Sequence, residues 1–158
     1  MNEHTMNRLE SNDPVLQEDL EIVANACASF PNLKGSTVFV TGSPGLLGSF
    51  LIKALLCANR SIGLNVTVIG LARSEKKVHD VFGHLIERES LSFFYGDVCD
   101  DLEIADNIDY IVHSASITAS SMMVSQPVEL IETAVLGTKK MLDLARDKGA
   151  KGFIYLSS

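Results

Sequence analysis

Thr41-Gly42-Ser43-Pro44-Gly45-Leu46-Leu47-Gly48 lies between two segments of opposite character. Upstream, Ser36-Thr37-Val38-Phe39-Val40 is a short β-branched and aromatic run, the composition of a buried parallel strand. Downstream, Leu46, Leu47, Phe50, Leu51, Ala54, Leu55 and Ala58 recur at helical spacing. Strand, glycine turn and helix, in that order, aim backbone N–H groups and the positive end of a helix at a phosphate. Gly42 can turn tightly off the strand, Gly45 lets a pyrophosphate approach the backbone, and Gly48 allows helix and sheet to pack closely. Pro44 removes one donor, but the amides of Leu46 and Leu47 at the helix start remain. A glycine-rich βα loop without a ligand is the plain alternative. The setting favours a dinucleotide site.

Beyond this stretch strands and helices alternate. Residues 65–71, 92–95, 110–113 and 153–156 read as further strands, and 75–89 and 128–148 as helical segments. That alternation implies an α/β fold, a Rossmann-type doubly wound parallel sheet of strand order 3-2-1-4-5, incomplete at the C-terminal end. Its ligand would lie at the switch point, outside the carboxyl ends of the first and fourth strands. Residues 34–158 are expected to form the dinucleotide-binding domain and residues 1–33 an N-terminal extension. Residues 1–12 are polar and expected to fray. Asp13-Pro14 then starts a helix, with an amphipathic stripe of Leu16, Leu20, Val23, Cys27 and Phe30 that ends at Pro31.

Composition narrows the function. The chain has 158 residues, 46% of them hydrophobic and 21% charged, with a net charge of −7 and a pI near 5.0. This acidic balance argues against a broad electrostatic grip on nucleic acid or an anionic membrane. A dinucleotide needs only a local positive site, which a helix N-terminus supplies. No apolar run reaches the roughly 18 residues of a spanning helix, and the N-terminus lacks the basic start and apolar core of a secretory signal. A cytoplasmic location follows as the expectation. Cys27, Cys57 and Cys99 are odd in number and widely spaced, which suits reduced thiols better than disulfides or metal ligands.

Small or polar residues collect at the strand ends. The second strand ends Leu71-Ala72-Arg73-Ser74. A ribose-binding carboxylate is absent at Ala72, and Arg73 could pair with a 2′-phosphate, which tips the cofactor slightly toward NADP over NAD. A solvated surface arginine is the competing reading. Asp97 in Gly96-Asp97-Val98 could accept from an adenine amino group or cap the following turn. The fourth strand leads into His113-Ser114-Ala115-Ser116, small enough for a cofactor to lie against the backbone. His113 reads as a structural imidazole bonded across to a neighbouring loop, and no metal site is expected. His79 and His84 read as solvated surface.

Taken together, these motifs resemble the extended short-chain dehydrogenase/reductase family, of the NAD-dependent epimerase/dehydratase type. The matching residues are Thr41 to Gly48, Gly96-Asp97-Val98, Asp109 to Ser116, Pro127 through Val135-Leu136-Gly137-Thr138 with Leu142 and Ala145, and Phe153-Ile154-Tyr155-Leu156-Ser157-Ser158. The resemblance covers about residues 35 to 158. It implies NAD or NADP, a sugar-nucleotide substrate in the full-length protein, a homodimer, and no nucleic-acid or membrane partner. It places Gly42, Ser43, Gly45, Leu46, Leu47 and Gly48 in the phosphate loop. Asp97 and Val98 fall at the adenine, Ser114, Ala115 and Ser116 on the inner cofactor wall, and Ser158 at the triad Ser or Thr. The chemistry implied is transient oxidation at a sugar carbon, which acidifies neighbouring C–H bonds.

The sequence departs from that pattern at Ala72, at the polar Ser114 and Ser116, and at Ala134, where many relatives have Asn. Tyr95, Tyr110 and Tyr155 are its tyrosines, and none has Lys four positions later. The 158 residues therefore read as the N-terminal, cofactor-binding part of a longer enzyme, without the Tyr-x-x-x-Lys pair and the substrate domain. A non-catalytic NAD(P)-binding sensor on the same fold is the alternative.

Overall fold

A computed structural model describes residues 9–116, 125 and 127–156. Five short strands, β1 (Thr37–Thr41), β2 (Thr67–Ala72), β3 (Leu91–Tyr95), β4 (Tyr110–His113) and β5 (Gly152–Tyr155), form one parallel sheet. Its order is β3-β2-β1-β4-β5, the expected doubly wound arrangement. The register sets Thr41 level with Leu71 on one side and His113 on the other. Three strands therefore end together at the point where the strand order reverses, and their carboxyl ends open one crevice.

Alternation along the strands divides the core in two. Val38, Val40, Val68 and Val112 face α2 (Leu46–Ile62), while Phe39, Ile69, Leu71 and Ile111 face the helix that carries Met141. Apolar residues run almost all round α2, so one covered face cannot satisfy it. The sheet covers one side and α1 (Pro14–Ala26) the other, with Leu20 and Ala24 fully buried. Asp13 caps α1 by accepting from the amides of Val15 and Leu16 at 2.9 and 3.3 Å.

The expected stripe on α1 needs correcting. The helix ends at Ala26 and tightens into a 3-10 turn over Cys27–Ser29, leaving Phe30 61% exposed. The buried line is Gln17, Leu20 and Ala24. Gln17 is buried because a polar cluster lies beneath it, a feature hydrophobic spacing cannot reveal. Glu10, in the segment expected to fray, is its centre. Its carboxylate, with no exposed side-chain surface, lies 2.8 Å from Arg88 Nη2 and 3.0 Å from Arg60 Nη2, and accepts from Gln17 Nε2 at 3.2 Å.

The segment 75–89 also divides, into α3 (Glu75–Phe82) and a 3-10 turn Gly83–Glu87, because Gly83 takes a left-handed φ of +50° that ends the helix. His84 in that turn is half-buried and bonds the Leu9 carbonyl at 3.1 Å, so it is not simply solvated. The long helix of 128–148 contains a π turn. α4 (Pro127–Glu132) passes through Thr133–Gly137 into α5 (Thr138–Lys148), which Gly149 terminates at φ +65°. None of the described helices is long and apolar enough to cross a membrane.

Burial alone pushes the Glu10 carboxyl up, but hydrogen bonds and charge from Arg60 and Arg88 outweigh it and hold the group below its ordinary value. Such a depressed carboxylate contributes stability above its unfolded value and loses it as pH falls through the folded one. Glu10→Gln should destabilise the fold by about 3 kcal/mol near neutral pH, because two guanidiniums then face a neutral amide. Urea unfolding should show this gap, and the gap should close as pH drops below about 4. An unchanged midpoint at neutral pH would count against the cluster as a structural tie.

Candidate functional site

The crevice at the strand ends is a cleft of about 550 Å³. Its geometry starts at Gly42, which leaves β1 at φ +65°. A Cβ there would come within 2.8 Å of Ala115 Cα and 2.9 Å of the Ser114 carbonyl, so backbone rests on backbone. Gly48 plays a related part within α2: a Cβ would lie 2.6 Å from the Gly42 carbonyl. Sequence reasoning assigned Gly48 to helix–sheet packing. The contact that demands glycine is with the turn itself.

Gly45 is the N-cap of α2, and a glycine offers no side chain to occupy the first amides. The N–H groups of Leu46, Leu47 and Gly48 therefore open the helix toward the cleft, with the positive end of the dipole behind them. Leu46 and Leu47 are 87% and 59% exposed, two apolar side chains held out at its lip. Pro44 also lines the cleft without blocking these amides. Ser43 behaves differently from expectation. It is fully buried, and both its hydroxyl and its amide donate to the Leu71 carbonyl, at 3.0 and 3.2 Å. It ties the turn to β2 and does not line the cleft.

At the end of β2, Arg73 stands on the rim, 67% exposed, with Nη1 3.6 Å from Asp97 Oδ2. An ion pair this exposed is worth little and leaves the guanidinium accessible. The other Asp97 oxygen accepts from the Cys99 amide at 3.0 Å, so this carboxylate caps its own turn. Val98 is buried beside it, pressed by the π turn, where a Cβ on Gly137 would meet Val98 Cγ2 at 2.7 Å. Burial, then the charge of Asp97, push the Cys99 thiol up and keep it protonated.

The floor comes from β4. Ser114, Ala115 and the exposed Ser116 line the cleft. Thr41 Oγ1 accepts from the amides of Ser114 and Ala115 at 3.2 and 3.1 Å, and the Ser114 hydroxyl donates to the Thr41 carbonyl at 2.5 Å. Thr41 Oγ1 also lies 2.7 Å from His113 Nδ1, while His113 Nε2 lies 3.2 Å from Thr138 Oγ1. His113 is thus a structural imidazole, but its partners lie on β1 and α5 and not in a neighbouring loop as expected.

Ser74, Lys77 and Thr133 also line the cleft and escaped the sequence reading. Ser74 caps α3 by accepting from the Lys77 amide at 3.3 Å, so the helix-start pattern could have found that pair. Thr133 opens the π turn, for which the sequence carries no local signal. Ser158, expected to be the catalytic hydroxyl, lies outside the described residues. Among the described residues no cluster of His, Cys, Asp and Glu could hold a metal, and a second, apolar hollow of about 510 Å³ beside Tyr110 and Ile154 offers no comparable set of donors.

The matches to known proteins agree with this geometry. Residues 38–158 match the NAD dependent epimerase/dehydratase family, and the chain belongs to that family. UDP-glucose 4-epimerase of Klebsiella pneumoniae is 29% identical over 126 residues, 77% of this chain and 88% of that sequence. A decarboxylating sterol-4-alpha-carboxylate 3-dehydrogenase of Candida albicans is 32% identical over 77% of this chain and 34% of its own length. The structure of the dTDP-glucose 4,6-dehydratase DesIV from Streptomyces venezuelae, solved with NAD bound, superposes with a TM-score of 0.61 at 25% identity. That match covers 74% of this chain and 38% of the other. The chain spans little more than a third of most of the relatives it matches.

Gly48→Ala tests the glycine turn. Alanine is worth up to about 1 kcal/mol over glycine in a helix, so propensity alone predicts a gain. The clash with the Gly42 carbonyl should reverse the sign, to a net loss of about 1–2 kcal/mol. Denaturant midpoints of the two proteins decide it, and a stabilised variant would show that the turn is not seated as described.

Proposed function

We propose that the whole protein is an NAD(P)-dependent sugar-nucleotide epimerase or dehydratase and that these residues are its cofactor-binding part. One observation carries the reading: a helix opens on an N-cap without a side chain, directly above the small residues that floor the switch-point cleft. Membership of an NAD-dependent family and the NAD bound to DesIV support it.

The residues fit the cofactor in order along the cleft. The Leu46 and Leu47 amides suit the pyrophosphate, with Gly42, Gly45 and Gly48 keeping its approach clear. Asp97 and Val98 flank the adenine position, and Ser114, Ala115 and Ser116 form the inner wall. Ser43 supports the turn from behind. When bound, the cofactor supplies a hydride acceptor, so that oxidation of a substrate carbinol acidifies its neighbouring C–H bond. Ser158 would donate a hydrogen bond to the reacting oxygen. UDP- or dTDP-linked sugars are the substrate class, by likeness to the epimerase and dehydratase relatives. Homodimeric assembly in the cytoplasm belongs to the same reading, supported by the exposed stripe Val128, Ile131 and Val135.

Arg73 and Lys77, both on the adenosine side of the cleft, favour NADP over NAD. Arg73→Ala should weaken NADP binding selectively, by about 1 kcal/mol once solvent screening is allowed for. Calorimetry with both cofactors reads the difference, and equal losses would remove the NADP preference. Turnover of UDP-glucose or dTDP-glucose by the whole protein tests the activity. Cofactor binding without turnover of any nucleotide sugar would assign a non-catalytic binding module instead.

A further inference from the structure

Thr41 Oγ1 accepts from two backbone amides, Ser114 N and Ala115 N. A hydroxyl oxygen has two lone pairs and one hydrogen, so both lone pairs are committed and the hydrogen must go elsewhere. The remaining neighbour is His113 Nδ1 at 2.7 Å. Thr41 therefore donates to Nδ1, and the neutral ring carries its proton on Nε2, which donates to Thr138 Oγ1 at 3.2 Å. The heavy-atom positions alone fix the tautomer.

An imidazolium cannot occupy this place. It would present an Nδ1–H to a hydroxyl oxygen without a free lone pair, and could be satisfied only by displacing the amide of Ser114 or Ala115. Those amides hold the cleft floor against the glycine turn, which packs on it backbone to backbone: a Cβ on Gly42 would lie within 2.9 Å of the Ala115 and Ser114 backbone. A shift of the floor is therefore a shift of the turn that presents the Leu46 and Leu47 amides.

We propose that His113 is a positioning residue for the cofactor, acting through Thr41, and that protonating it releases the Ser114–Ala115 floor and weakens NAD(P) binding. The inference rests on the cofactor reading above. Among the described residues, the side chains against His113 are Thr41 from β1, Thr138 from α5, and the Phe153 and Tyr155 rings of β5, with centroids at 6.2 and 5.6 Å. A phenol carries no charge at acidic pH. Lys139 and Lys140, next to Thr138, are paired with Asp143 and Asp101. His113 is 1% exposed, and burial holds it below its ordinary value of 6.5, so the transition lies on the acid side of that value.

The test has two readouts on the full chain. With 15N-labelled histidine and no ligand, His113 should show an unprotonated Nδ1 and a protonated Nε2 at pH 8. NAD affinity, measured by calorimetry, should be level from pH 8 to about 6.5 and then fall by up to about tenfold per unit. His113→Asn, whose carboxamide oxygen accepts from Thr41 but takes up no proton in this range, should bind a few-fold more weakly at pH 8 and lose that slope. Thr41→Val should bind weakly at every pH, and Thr41→Ser should restore both affinity and slope. A neutral ring protonated on Nδ1 overturns the proposal, whether or not the variants fold. So does a wild-type affinity that is level down to pH 5, or a slope that His113→Asn retains, and either leaves the cofactor reading intact. Failure to bind either cofactor at pH 8, with the tautomer as described, sinks the cofactor reading and this role together.

Discussion

The cleft depends on one constraint, the backbone-to-backbone seat of the glycine turn on the end of β4. Gly42 lies against the backbone of Ser114 and Ala115, and Gly48 against the carbonyl of Gly42 itself. Two segments far apart in sequence, the glycine turn with the start of α2 and the end of β4, are thereby fixed at one point with no side chain between them. Thr41 completes the seat, bonding Ser114 and Ala115 through its hydroxyl while its carbonyl accepts from the Ser114 side chain. A site assembled this way is rigid because it is made of backbone, and rigid elements are what hold a ligand's phosphates at fixed distance.

The same seat explains how α2 is held. Its first turn must reach the cleft while its body packs on the sheet, and the apolar residues around it leave its outer side to be covered. α1 does this, although residues 9–37 lie outside the family match. Glu10 binds it to the domain through Arg60 of α2 and Arg88 before β3. The extension is therefore joined to the sheet layer by a buried charge cluster as well as by Leu20 and Ala24. Breaking such a cluster costs more than forming it gains, so it fixes where α1 sits more than it adds to stability.

Most of the fold was legible in the sequence because its signals are local. β-branched runs and helical spacing identify the strands and α2, and their alternation leaves one parallel order to expect. The glycine turn was legible for the same reason. The failures are at places where tertiary contact decides. Gly83 looks like any glycine in a polar helix, yet its positive φ ends α3. Ser43 looks like a phosphate-loop hydroxyl, yet its side chain faces β2. Gln17 and Glu10 look like surface, and only their mutual bond and the two arginines explain their burial. Arg73 and Asp97 were each read alone, whereas the structure shows them as a rim pair across the ends of β2 and β3.

An acidic chain with a site for an anion is a contradiction only if the site works through net charge. Here the positive potential comes from the first turn of α2, where backbone dipoles align and no side chain intervenes. Arg73 adds a cation at the rim, and Asp97 beside it cancels part of its long-range field while leaving the guanidinium exposed. The net charge of −7 belongs to the whole chain, and at physiological salt each exposed charge is screened over a Debye length of about 8 Å. On the cofactor reading proposed above, attraction of an anion is local to the place where its phosphates would lie. A polyanion is held by a continuous basic surface, whereas a dinucleotide needs only a local positive site of this kind.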